Sequence, residues 1–172
     1  MNFECDVDVD FNGIVIFVYP SLLSLFGGKI IKGQNILEEF TTTEKGDEVL
    51  DQGLALPIMG IDDGTYRVRF FVDESPEVEG RKIIFEDKFF HLSALDDVYV
   101  ADMAVFWEWE DYTGWKKLPI QRGLYKVVVA GVHTYSKSGE TQYGFDVCFS
   151  TVSKPFKRTV EPRSDSRVVE VI

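Results

Sequence analysis

The sequence predicts an all-β protein, an antiparallel β-sandwich or flattened barrel of about eight to ten strands. Three observations lead there. Short runs of strand-forming residues recur along the chain, many of them bounded by Gly, Asp or Asn turn signals. No stretch carries the helical periodicity of a long amphipathic helix. The opening residues, Phe3-Glu4-Cys5-Asp6-Val7-Asp8-Val9-Asp10-Phe11, alternate apolar and acidic without a break, which is the period of a strand with one wet face. A chain of 172 residues, 45 % hydrophobic and 14 % aromatic, is within the size of one domain and can fill a sizeable core. We read residues 1–172 as a single sandwich domain whose last ten or so residues form an edge strand or a tail.

Taken in order, the first strand places Phe3, Cys5, Val7, Val9 and Phe11 on one face and Glu4, Asp6, Asp8 and Asp10 on the other. Asn12-Gly13 tolerates positive φ and predicts a hairpin into Ile14–Tyr19. That partner is apolar throughout, as a strand buried on both faces is. Pro20 ends it, and Ser21–Phe26 reads as a short helix closed by Gly27-Gly28, or else as an apolar lid. Lys29 to Asp51 is a looser excursion with a strand or helical turn inside it. Within it, Thr41-Thr42-Thr43-Glu44 offers a cap before Lys45-Gly46 cuts it short. Strands follow at 53–58, where Pro57 argues for an edge or a strand end, and at 65–72, 83–92, 98–109, 124–135, 142–152 and 168–172. Gly64-Thr65-Tyr66-Arg67-Val68 is echoed by Gly123-Leu124-Tyr125-Lys126-Val127, a shared way of opening a strand rather than a duplication.

Acidic residues outnumber basic ones 29 to 18, and the excess is local. Residues 1–111 hold 24 acidic and 8 basic side chains, whereas residues 112–172 hold 5 and 10. A field of this sign repels phosphate backbones, which argues against direct nucleic-acid binding, and it speeds encounter with basic proteins. The N-terminus lacks a basic region followed by an apolar run, and no segment approaches the ~18 apolar residues of a membrane span. Cys5 and Cys148 are too few for a disulfide framework and lie in apolar strand patterns, so buried free thiols are expected; one bridge between them is the alternative for an exported chain. The implied compartment is the cytoplasm.

Catalytic and metal signatures fail on their spacing. Asp6, Asp8 and Asp10 have calcium-loop intervals, but Phe11 stands where an EF-hand needs Gly and Phe17 where it needs a bidentate Glu. His91 and His133 belong to no metal-ligand pattern, and no Gly-x-Ser-x-Gly, Cys-x-x-Cys or phosphate-cradling loop occurs. The reading is a non-enzyme with no cofactor and no metal. Two features point to binding. Along a strand the carboxylates of Glu4, Asp6, Asp8 and Asp10 recur about every 7 Å, roughly the repeat of phosphates along a nucleic-acid strand. The bland alternative for that row is a solvated face that discourages aggregation. The stretch Phe106–Trp115 adds Glu108, Glu110 and Asp111 as contacts for Lys or Arg, and Trp107, Trp109 and Trp115 as anchors. On a strand, Trp107 and Trp109 share a face. The leading expectation is an acidic protein-binding domain, an inhibitor or immunity-type protein for a basic partner such as a nuclease. Stacked tryptophans also suit sugar rings, so a carbohydrate-binding sandwich is a second reading. Leu22-Leu23-Leu25-Phe26 as a subunit contact would make a structural assembly subunit, the third.

Glu44-Lys45-Gly46, Asp51-Gln52-Gly53-Leu54-Ala55-Leu56 and Tyr66-Arg67-Val68-Arg69-Phe70 resemble the middle of the small inhibitors of the bacterial competence DNA-entry nuclease. Val98-Tyr99-Val100, Leu118-Pro119-Ile120 and Gly123-Leu124-Tyr125-Lys126-Val127 look like that family's closing strands. The likeness spans residues 5–130, and Ser21–Asn35 and Phe145–Ile172 have no counterpart in it. It implies an acidic protein that binds and blocks a nuclease.

Overall fold

The computed structural model describes residues 1–135, 137–154 and 169–170, and places ten strands in two five-stranded sheets. The first sheet contains β1 (Asn2–Val9), β4 (Gly64–Val72), β5 (Arg81–Ala94), β8 (Gly123–Tyr135) and β9 (Thr141–Val152), in the order β1-β4-β9-β8-β5. The second contains β2 (Gly13–Tyr19), β3 (Ala55–Met59), β6 (Asp97–Asp102), β7 (Lys116–Leu118) and β10 (Val169–Glu170), in the order β10-β3-β2-β6-β7. Neighbours run antiparallel except the parallel pairs β4–β9 and β10–β3. The chain is therefore predominantly all-β, as its patterning predicts. The described part of the final strand, Val169–Glu170, lies at a sheet edge; residues 168, 171 and 172 lie outside the described residues.

Every residue of β2 is buried. Phe17 and Tyr19 face Trp109 and Trp115, which cover one side of the second sheet, while Ile14, Ile16 and Val18 point the other way by strand alternation. This position explains a correction. The Asn12-Gly13 hairpin does not form: β1 pairs with β4, and β2 pairs with β3 and β6. Asn12 does adopt a φ of 57°, yet the turn carries the chain from one sheet to the other. A strand apolar on both faces is stable at the centre of a covered sheet, whereas a strand with one acidic face needs an outer position. Gly13 serves close approach rather than turn geometry, because a Cβ there would lie 2.2 Å from the Ile58 carbonyl oxygen.

The excursion after Pro20 holds a 3₁₀ turn (Ser21–Phe26) and two short helices, α1 (Ile36–Thr42) and α2 (Lys45–Asp51). The Asn35 side chain caps α1 by accepting the Glu38 N–H at 3.0 Å. Gly46 does not cut the structure short, as expected from sequence, but sits buried within α2. The predicted strand 98–109 is corrected as well. It ends at Asp102, and Ala104–Trp107 form a one-turn helix, α3. Pro57 lies inside β3 opposite Val15 of β2, and among the described residues β10 pairs with that strand at Ile58 and Met59. Cys5 pairs opposite Val68 and Cys148 opposite Phe71, three positions further along β4 and therefore on the other face. Both thiols are free, which removes the alternative of a bridge. Among the described residues, no helix is long and apolar enough to cross a membrane.

Candidate functional site

β1 is the edge of the first sheet, and its alternation is as read: Val7 and Val9 are buried while Glu4 and Asp8 are exposed and Asp6 is half-exposed. The register supplies what the sequence could not, a set of partners from β4. Asp6 lies opposite Arg67, whose Nε donates to Asp6 Oδ1 at 2.9 Å and whose Nη2 donates to Oδ2 at 3.3 Å. The same guanidinium reaches Glu4 Oε1 at 3.4 Å. Hydrogen bonding from Arg67 holds the Asp6 carboxyl below the usual carboxylate range, with the charges of Arg67 and Lys116 adding to it. Asp8 accepts from the Thr65 hydroxyl at 2.6 Å. The row thus divides into Glu4 and Asp6, which pair with Arg67, and Asp8 and Asp10, which make no ion pair among the described residues.

Asp10 leads directly into an aromatic pair. Its backbone N–H donates to Asp102 Oδ2 at 2.7 Å, and the other oxygen of that carboxylate accepts the Ala104 N–H at 3.0 Å. Asp102 therefore fixes the turn after β1 to the start of α3. This brings Phe11 against Trp107, with ring centroids 5.2 Å apart, and leaves Trp107 51 % exposed. Glu108 follows it, also exposed. Asp10 and Phe11, just past the end of β1, are thereby held beside the α3 segment that carries Trp107 and leads into Glu108.

The remaining candidates go elsewhere. Trp109 is wholly enclosed, with 0 % exposure, and Trp115 is partly buried between Phe17, Tyr19, Tyr99 and Tyr112. Asp111 faces this cluster, accepting from the Trp109 indole N–H at 2.5 Å and from the Tyr19 hydroxyl at 3.4 Å. Burial, followed by the negative charge of Asp111, pushes the Tyr19 hydroxyl pKa up. Glu110 pairs with Lys32 at 2.9 Å. Trp109, Trp115, Glu110 and Asp111 thus serve the packing of loops over the second sheet, because α3 breaks the strand that would have aligned them with Trp107.

Sequence reasoning missed the roles of four residues, Asp102, Asp146, Arg69 and Arg81. Asp102 has no local signal, since both its partners depend on the fold. Asp146 is 0 % exposed although it sits on the same sheet face as the acidic row. Arg69 binds it through Nε to Oδ1 at 2.7 Å and Nη2 to Oδ2 at 2.9 Å, and Arg81, itself only 8 % exposed, pairs with the same Oδ2. An isolated buried carboxylate would cost several kcal/mol, so these arginines are structural partners, and they interrupt what the sequence presents as a uniformly acidic face. His91 Nε2 lies 2.9 Å from the Asp51 carbonyl oxygen, and the His133 ring meets Tyr143 edge-on at 3.8 Å. Among the described residues, no three His, Cys, Asp or Glu side chains are grouped to hold a metal ion.

No family model matches the chain, and no curated protein does. Among solved structures it is similar to one described as crocagin biosynthetic gene J, with a TM-score of 0.48 and 10 % identity over 86 % of this chain and 94 % of that one.

Proposed function

We propose that the chain is an acidic protein-binding domain that engages a basic partner, with a nuclease the type its family resemblance implies. The observation that carries this reading is the half-exposed Trp107, packed at a tilt against Phe11 just past the end of the acidic row. A large aromatic beside desolvating neighbours is the usual anchor of an interface, and a charged rim sets partner and association rate. Asp8, Asp10 and Glu108 would take the places of substrate phosphates on the partner, and Trp107 would fill an apolar recess beside them. With Trp109 enclosed, Trp107 and Trp109 do not form the exposed coplanar pair that a sugar-binding face requires.

The test is inhibition of a basic nuclease from the host, measured against salt. The apparent inhibition constant is expected to weaken about tenfold or more between about 50 and 200 mM salt. A variant combining Asp8→Asn, Asp10→Asn and Trp107→Ala is expected to lose roughly a further hundredfold. Inhibition that ignores salt, or that survives the triple substitution unchanged, overturns the reading.

A further inference from the structure

β1 presents its acidic residues in two ways at once. Their side chains share the outer face, and their backbone groups point off the edge of the sheet. The second point follows from the first pair of the ladder: Val72 N–H donates to the Met1 carbonyl at 2.8 Å, and the Met1 nitrogen donates to the Val72 carbonyl at 3.2 Å. In an antiparallel ladder such pairs alternate, so the register makes Phe3, Cys5, Val7 and Val9 the residues bonded to β4. Asn2, Glu4, Asp6 and Asp8 turn their N–H and C=O groups outward. The Lys116 ammonium sits on one of these groups, the Asp6 carbonyl, as the alternation requires. Among the described residues, no strand pairs with this side of β1.

We propose that β1 accepts an added strand, an extended basic segment of the partner with Lys or Arg at alternate positions. This rests on the basic-partner reading above and specifies how the partner is held. The edge supplies a hydrogen-bonding ladder, the usual source of affinity in strand addition. Residues directly opposite Glu4, Asp6 and Asp8 on the added strand would carry their side chains on the same face at about 5 Å, within reach of the unpaired Asp8 and, at Glu4 and Asp6, of carboxylates shared with Arg67. Lys116 already shows a cation accommodated at this edge, and it has to move when the strand docks. A second copy of the chain is selected against, because two β1 edges would set carboxylates opposite carboxylates.

The probe is a synthetic end-capped peptide of alternating Lys and Val, as long as β1. Bound peptide is expected to slow hydrogen exchange at the Glu4, Asp6 and Asp8 amides about tenfold or more, while the amides of Phe3, Cys5 and Val7 change little. N-methylation of the alternate peptide residues that face β1 is expected to weaken binding about tenfold, and methylation of the other set to leave it nearly unchanged. Lys116→Ala frees the Asp6 carbonyl and is expected to tighten binding a few-fold. Binding without amide protection, or equal binding of the two methylated peptides, overturns strand addition while leaving the salt-dependent inhibition above intact. Failure of the peptide to bind both the native chain and Lys116→Ala overturns it as well. Loss of the salt dependence itself would instead remove the reading on which it rests.

Discussion

Asp111 shows how one carboxylate in an acidic stretch can stay exposed and still serve buried donors. It is the acceptor for the indole N–H of fully buried Trp109 and for the Tyr19 hydroxyl. Asp111→Ala leaves that indole without an acceptor, which costs ~1–3 kcal/mol and at this chain size lowers Tm by roughly 2–10 °C. Glu108, three residues earlier and exposed, makes no such contact, so Glu108→Gln should change stability by less than ~0.5 kcal/mol. Thermal melts of the two variants decide the matter, and equal Tm values would contradict the role of Asp111 as acceptor for the Trp109 indole. The two thiols give a second contrast at this scale. Burial raises the pKa of Cys5 and of Cys148, so both should react with thiol reagents more slowly in the native protein than after denaturation.

At the scale of the element, the short echo between β4 and β8 proves to be a shared device. Tyr66 donates its hydroxyl to the Asp62 carbonyl at 2.9 Å, and Tyr125 donates to the Gln121 carbonyl at 2.7 Å, each bridging back over the turn that opens its strand. The two strands flank β9. Tyr66→Phe and Tyr125→Phe should each cost ~0.5–1.5 kcal/mol, and with a strand between them the losses should add in the double variant, as denaturant midpoints will show. Where β9 meets β4, a Cβ on Gly144 would lie 2.3 Å from the Arg67 carbonyl oxygen. Gly144→Ala therefore pushes the parallel pair apart and should cost ~1–3 kcal/mol, a value readable in the same titrations.

These elements also show where the sequence is legible and where it stops. The alternation of Phe3 through Phe11 locates β1 and its wet face, and the continuous apolar run locates β2 as a covered strand. The pairing between them is not legible, because Asn12 takes positive φ whether the strands it joins pair or part. In the same way, Ala104-Val105-Phe106-Trp107 is compatible with strand or helix, and the choice is made by Asp102, whose carboxylate holds the Ala104 N–H and a backbone group of Asp10 from the far end of the chain. The acidic row was visible as composition. Its division by Arg67 was not, because that ion pair exists only in the β1–β4 register.

On the scale of the whole molecule, charge acts on stability through pH and through salt, and the signs can be worked out. Hydrogen bonds from Arg67 lower the Asp6 pKa, and hydrogen bonds from Thr151 lower that of Asp73. For both groups the unfolded state binds more protons between the folded and unfolded pKa values. Their contribution is therefore complete above the unfolded value of about 3.9 and is lost as pH falls through the folded one. Burial acts in the opposite direction on Cys5, Cys148, Tyr19, Tyr66, Tyr99 and Tyr125, raising each pKa. Their contribution is complete below the unfolded values, about 8.5 for Cys and about 10 for Tyr, and is lost as pH rises through the folded ones. Denaturant titrations across pH should show a plateau that falls away below about pH 4 and above about pH 9. At pH 7, within the plateau, the chain carries a formal net charge of −11. Screening of that self-repulsion should raise Tm as salt increases toward about 0.3 M, although it also weakens the exposed ion pairs. The same screening weakens capture of a basic partner. Salt should thus move stability up and affinity down in one preparation at neutral pH, and a parallel fall of both would show that the ion pairs, not the excess of negative charge, dominate the electrostatics of this fold.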